Sequence, residues 1–137
     1  MNDTSKTKLV RVRPGNSAVT RNTLNYFIGI SEKSAGSRGI SMNIVRVPPG
    51  AKTEPHYHAD FEATIYVLEG EVETRFGEGL KENVVTVAGD FLYIPPGVPH
   101  QTMNRSETDE AAAVIARTTA SETENTVPCP SAGGPRK

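Results

Sequence analysis

Apolar residues in this chain fall into short alternating or continuous runs separated by Gly and Pro clusters, and a helical period is almost absent. That punctuation predicts an all-β sandwich or barrel. Strands are predicted over residues 9–12, 26–30, 40–47, 64–68, 71–76, 84–87, 91–94 and 112–118. Residues 76–83 read as a hairpin loop, because their glycines tolerate positive φ. One short amphipathic helix is predicted over residues 16–25. Residues 1–7 are polar, and residues 119–137 are rich in Ser, Thr, Glu, Gly and Pro with few apolar anchors. Both are expected to be flexible arms, leaving residues 8–118 as one barrel domain. Such arms can order by pairing with a neighbouring copy.

At 137 residues the chain is long enough to bury a core of its own. Its 15 basic and 16 acidic residues leave a net charge of -1, without the basic surplus of a nucleic-acid or polyanion binder. Nothing marks a membrane-docking surface. The first residues lack the apolar stretch of a secretory signal, and no later run approaches the roughly 18 apolar residues of a membrane span. A soluble, cytoplasmic protein is expected. Cys129 is the only cysteine, which excludes an intrachain disulfide and a CxxC site. It stands between two prolines and reads as an unpaired thiol in the loose tail.

The candidate chemistry lies in the three histidines. Two occur in Pro55-His56-Tyr57-His58, and the third ends Pro95-Pro96-Gly97-Val98-Pro99-His100. Side chains on a strand repeat with period two, so His56 and His58 share a face. Inside a barrel, apolar neighbours would satisfy two adjacent imidazoles poorly, whereas a divalent cation satisfies both nitrogens at once. A third ligand from a distant strand would complete one face of an octahedron, with open positions for water, substrate or dioxygen.

Around these histidines the sequence resembles the cupin superfamily. The family's first motif is glycine, five residues, His-x-His, three or four residues, glutamate, six residues, glycine. Here it reads Gly50-AKTEP-His56-Tyr57-His58-ADF-Glu62-ATIYVLE-Gly70. The second is glycine, five residues, Pro-x-Gly, two residues, His, three residues, Asn. It reads Gly89-DFLYI-Pro95-Pro96-Gly97-VP-His100-QTM-Asn104, a match at every specified position. The resemblance implies a single double-stranded β-helix, or jelly-roll, barrel. It also implies one divalent transition metal per chain on His56, His58, Glu62 and His100, and a homodimer.

Glu62 is where the pattern departs. Counted from His58 it occupies the glutamate position, but seven residues rather than six separate it from Gly70, and the backward count falls on Ala63. A slip of one residue reverses the facing of a strand side chain unless a bulge absorbs it. Either a bulge before Gly70 restores a site of three histidines and Glu62, or Ala63 sits inside and the metal has three histidines only. Asp60 is a weaker substitute. Tyr57, Tyr66 and Tyr93 could bring phenols near the mouth, and Glu62 and Tyr66 are the weak catalytic candidates. Val72, Thr74, Phe76, Thr102 and either Ile65 or Tyr66 are expected to wall the pocket. Arg46 and Arg75 are possible substrate anchors, although strand parity turns Arg75 outward. Glu71 and Glu73 read as a solvated face, and Asn104 as structural.

A metal does not name a reaction. The expectation is an enzyme acting on a small organic molecule, specifically an Fe(II)- or Mn(II)-type dioxygenase; Ni, Co or Zn would suit the same ligands. A non-oxidative lyase, isomerase or decarboxylase is the second class, and a non-catalytic binding module the third.

Overall fold

A computed structural model describes residues 8–15, 18–122 and 126–129. In chain order its strands are β1 (Val19–Arg21), β2 (Leu24–Ile30), β3 (Ser41–Val47), β4 (His56–His58), β5 (Ala63–Glu69), β6 (Glu71–Phe76), β7 (Glu82–Val87), β8 (Phe91–Ile94), β9 (His100–Met103), β10 (Ala111–Arg117) and β11 (Thr126–Pro128). One short helix, α1 (Glu32–Ala35), follows β2. Six strands form a sheet in the order β1-β2-β3-β10-β5-β8, and five form a second in the order β11-β4-β9-β6-β7. Neighbours run antiparallel, and the chain passes between sheets after β3, β4, β5, β7, β8, β9 and β10. That is a jelly-roll barrel.

Alternation along the strands places the core between the sheets. On β3, Val45 and Val47 face inward; on β10, Ala111, Ala113 and Ile115 do so; and Leu24, Tyr26, Val72 and Ile94 meet them from other strands. The passage from β5 to β6 turns on Gly70, which has φ of 81°. A Cβ at Gly70 would stand 2.8 Å from the Ala111 Cα, so only glycine lets the corner close against β10.

Two sequence expectations need correction. Residues 9–15 form no strand, and Leu9 is fully exposed. The helix expected over 16–25 is instead the β1–β2 hairpin across its described part; residues 16 and 17 lie outside the described residues. Its turn residues Asn22 and Thr23 both have positive φ, the pattern that matches strand twist in a two-residue hairpin. Thr20 Oγ1 also donates to Asn25 Oδ1 across it at 2.8 Å, so cross-strand chemistry outweighed an accidental helical spacing. The C-terminal segment, expected as a flexible arm, includes one described strand. Within 119–137, β11 pairs with β4, and the Cys129 N–H donates to the Pro55 carbonyl at 3.0 Å. Cys129 is buried, and burial pushes its thiol pKa up. A three-residue strand whose partner lies about 70 positions earlier leaves no local period to read. The arm over residues 1–7 falls outside the described residues, as do 123–125 and 130–137.

Candidate metal centre

His56 and His58 lie on one face of β4, and His100 opens β9, where it is the register partner of His56. All three are buried. Each offers a ligand atom within 4.8 Å of those of the other two. The ring centroids are 4.5 Å apart for His56 and His100, 4.9 Å for His58 and His100, and 5.3 Å for His56 and His58.

Two rings are oriented by the same local device. His56 Nδ1 lies 2.7 Å from the Glu54 carbonyl, and His100 Nδ1 lies 3.0 Å from the Val98 carbonyl. A carbonyl oxygen only accepts, so in both rings Nδ1 is the donor and Nε2 keeps the lone pair that binds a metal. In each case the carbonyl belongs to the residue two positions earlier, with a proline between. Pro55 and Pro99 hold φ near −65°, which fixes the step from carbonyl to ring. The His58 ring stacks on Phe61, with centroids 4.6 Å apart and planes 20° from parallel. Three buried imidazoles, two with Nδ1 engaged by a backbone carbonyl, fit a divalent transition metal.

Glu62 is outside this cluster. Its side chain is exposed and accepts a hydrogen bond from the Tyr93 hydroxyl at 2.9 Å, while Ala63 is buried. A bulge does occur before Gly70: Ala112 and Ala113 on β10 pair with Glu69 and Val67, skipping Leu68. It leaves Ala63, Ile65 and Val67 facing inward, so Glu62 points away. Among the described residues the clustered ligand groups are the three histidines, and Ala63 faces inside. Tyr66 is likewise no pocket residue, since it faces out and packs on Phe91 at 4.7 Å; Ile65 lines the cavity in its place. Asp60 is exposed between β4 and β5 and takes no part in the histidine cluster. Tyr57 alternates with the histidines and pairs with Val127 of β11.

The histidines open on a cavity of about 70 Å³ between the sheets, walled by Val72, Thr74, Thr102 and other inward residues. Among the described residues, no Asp or Glu lines it. An adjoining recess of about 330 Å³ shares Thr74, Leu92, Ile94 and His100 with it and has Phe76, Tyr93 and Pro95 in its wall. The Glu62 carboxylate, accepting from Tyr93, holds that phenol above its ordinary pKa of 10.0.

Charges elsewhere depart from the simple strand reading. Glu73 is buried rather than solvated, because Arg105 and Arg75 cover it and Asn83 donates to it at 2.9 Å. Glu71 is exposed, as its parity suggests. Arg46 is engaged by Glu110 at 3.0 Å and does not line the cavity. Two arginines escaped the sequence reading: the guanidinium groups of Arg21 and Arg117 lie 5.8 and 5.6 Å from the Tyr26 ring centroid. Parity from Ala113 and Ile115 could have revealed Arg117; Arg21 was hidden in the segment read as a helix. Asn104 ties the loop before β10, donating to the carbonyls of Val47 and Asp109 and accepting from the Ser106 N–H.

The barrel and its histidine cluster define a cupin, and the cupin-domain family model matches residues 43–116, more than half of the chain. The chain belongs to that family. It is 34% identical to germin-like protein 1-1 of Oryza sativa subsp. japonica over 106 residues, covering 75% of this chain and 45% of the relative. It thus spans less than half the length of that relative. Recombinant oxalate oxidase in complex with glycolate superposes with a TM-score of 0.66 at 25% identity, over 92% of this chain and 64% of the other. Oxalate decarboxylase of Bacillus subtilis, known for its Mn(II) centres, superposes with a TM-score of 0.67 at 18% identity, over 82% and 30%, a likeness of fold. Among the described residues, no helix is long and apolar enough to cross a membrane.

Proposed function

We propose that the chain is a metal-dependent cupin enzyme acting on a small organic molecule, and that its reaction is a dioxygenation. One divalent transition metal, Fe(II) or Mn(II) in preference to Ni, Co or Zn, is held by His56, His58 and His100. The observation that carries this reading is the buried cluster itself: three imidazoles converge on a small cavity, two with Nε2 directed to ligation by backbone carbonyls. When bound, the ion supplies Lewis acidity and open positions for substrate and dioxygen. The chain's own residues do the rest. Phe61 fixes the plane of His58, the apolar wall restricts water, and Tyr93 with Glu62 holds a proton at the rim of the wider recess.

The test combines elemental analysis with an oxygen electrode. Protein reconstituted anaerobically with Fe(II) or Mn(II) should carry about one ion per chain, lost in His58→Ala while the barrel stays folded. Screening should start with small hydroxy acids and dicarboxylates, because the oxalate oxidase with glycolate is among the similar structures. Substrate-dependent oxygen consumption supports the dioxygenase. Equal turnover under argon would replace it with a lyase, isomerase or decarboxylase, and no metal under any condition overturns the enzyme reading. Two copies are proposed to pair through the outer face of the six-stranded sheet, where Tyr66, Leu68 and Phe91 are exposed.

A further inference from the structure

Arg21 ends β1 at the turn of the β1–β2 hairpin, and that turn grips the loop leading into β4. Asn22 Oδ1 accepts from the Glu54 N–H at 2.8 Å, and Thr23 Oγ1 donates to the Lys52 carbonyl at 2.9 Å. The Glu54 carbonyl is the group that orients His56. A short chain of hydrogen bonds therefore fixes the backbone of Arg21 relative to the histidine cluster.

The Arg21 side chain lines the same cavity as the three histidines. Its guanidinium lies against the Tyr26 ring, 5.8 Å from the centroid, and its Nη1 is buried with no hydrogen-bond partner among the described residues. Guanidinium stays charged at any physiological pH, and a buried donor on it left unsatisfied is costly. On its outer side Arg21 borders a surface recess that includes Glu32 and Glu122, and Glu122 accepts from Ser31 Oγ at 2.7 Å.

Charge then selects the ligand. Metal ligation takes imidazole in its neutral form, no carboxylate among the described residues lines the cavity, and Ala63 stands where a family glutamate would have brought one negative charge. A divalent ion together with Arg21 brings positive charge to a cavity that no described carboxylate lines, the acidic groups near Arg21 lying in the outer recess. Buried charge of that kind is stable only when paired. We propose that the substrate of this site is a small carboxylate, with Arg21 anchoring the carboxylate group through its planar pair of donors. The cavity of about 70 Å³ holds a few heavy atoms beyond the carboxylate, since one water takes about 10–15 Å³ by this measure, and the recess that shares His100 gives further room. The inference rests on the metal reading for the full charge count, and on Arg21 alone for the anchor.

Calorimetric titration of glycolate and of its uncharged isostere glycolamide tests it, in Mn(II)-loaded and metal-free protein. The parent should prefer glycolate. Arg21→Gln should weaken glycolate about 10- to 100-fold, the range for a lost charged hydrogen bond, while glycolamide binding and metal content stay unchanged. Arg21→Lys, which keeps the charge but not the fork, should fall between and serves if the glutamine variant fails to fold. Absent metal binding in the parent would sink the metal reading alone, because an Arg21-dependent preference for glycolate in the metal-free protein still upholds the anchor. Equal glycolate affinity in the parent and in folded Arg21→Gln or Arg21→Lys, with or without metal, overturns it, as does the lack of any preference for glycolate in the parent.

Discussion

Glu62 and Ala63 differ by one position along β5's approach, and that position decides the charge of the centre. Because Ala63 faces in, Glu62 is free to accept from Tyr93 instead of a metal. Glu62→Gln should therefore leave metal stoichiometry unchanged. It should also lower the Tyr93 pKa toward its ordinary 10.0, since the carboxylate acceptor and its negative charge both favour the neutral phenol. Ultraviolet titration of tyrosinate reads this directly; metal loss in the variant would restore a four-ligand centre. The histidines were legible in the sequence because a ligand pair two apart shares a face regardless of what surrounds it. Glu62 was not, because its facing depends on a bulge at Leu68 that is set by pairing with β10, and no local residue pattern encodes which side of a bulge keeps the parity.

At the scale of elements, the strands that alternate over five or more residues were readable: β2, β3, β5, β6, β7 and β10 all fall near their expected places. The three-residue strands β1 and β11 were not, and the turn between β1 and β2 is the one with consequences for function. Asn22 sits at φ of 51°, a conformation glycine tolerates, so Asn22→Gly keeps the turn and removes only the amide that holds Glu54. With Glu54 loosened, the carbonyl that orients His56 loses its fixed place. Metal affinity should fall about 10- to 100-fold, the usual effect of losing a group that orients a ligand. Competition against a chelator of known affinity measures it, with the melting curve as a check that the barrel persists. Unchanged affinity would mean that Pro55 alone suffices to hold the ring.

For the molecule as a whole, the two faces of the six-stranded sheet are unequal in a way its alternation does not explain. The inner face is core, yet the outer face also exposes Phe91 at 79%, Leu68 at 45% and Tyr66 at 36%, with Tyr66 and Phe91 already in contact. Single exposed apolar residues are ordinary; a group of them on one sheet is a surface that water penalises until it is covered. A net charge of only -1 offers little repulsion between copies, and a two-fold pairing lets one patch cover itself. Light scattering coupled to size exclusion should give twice the chain mass for the parent. Phe91→Glu places a charge at the centre of the proposed contact without touching the core, so it should give a monomer that still binds metal. A parent that stays monomeric at about 100 μM, well above the dissociation constant of an ordinary stable dimer, would remove the dimer from this reading and leave the centre intact. The histidines, Arg21 and the cavity all lie within one chain, so a monomeric variant should retain binding, and a loss of binding on dissociation would show that the partner holds the barrel mouth in shape.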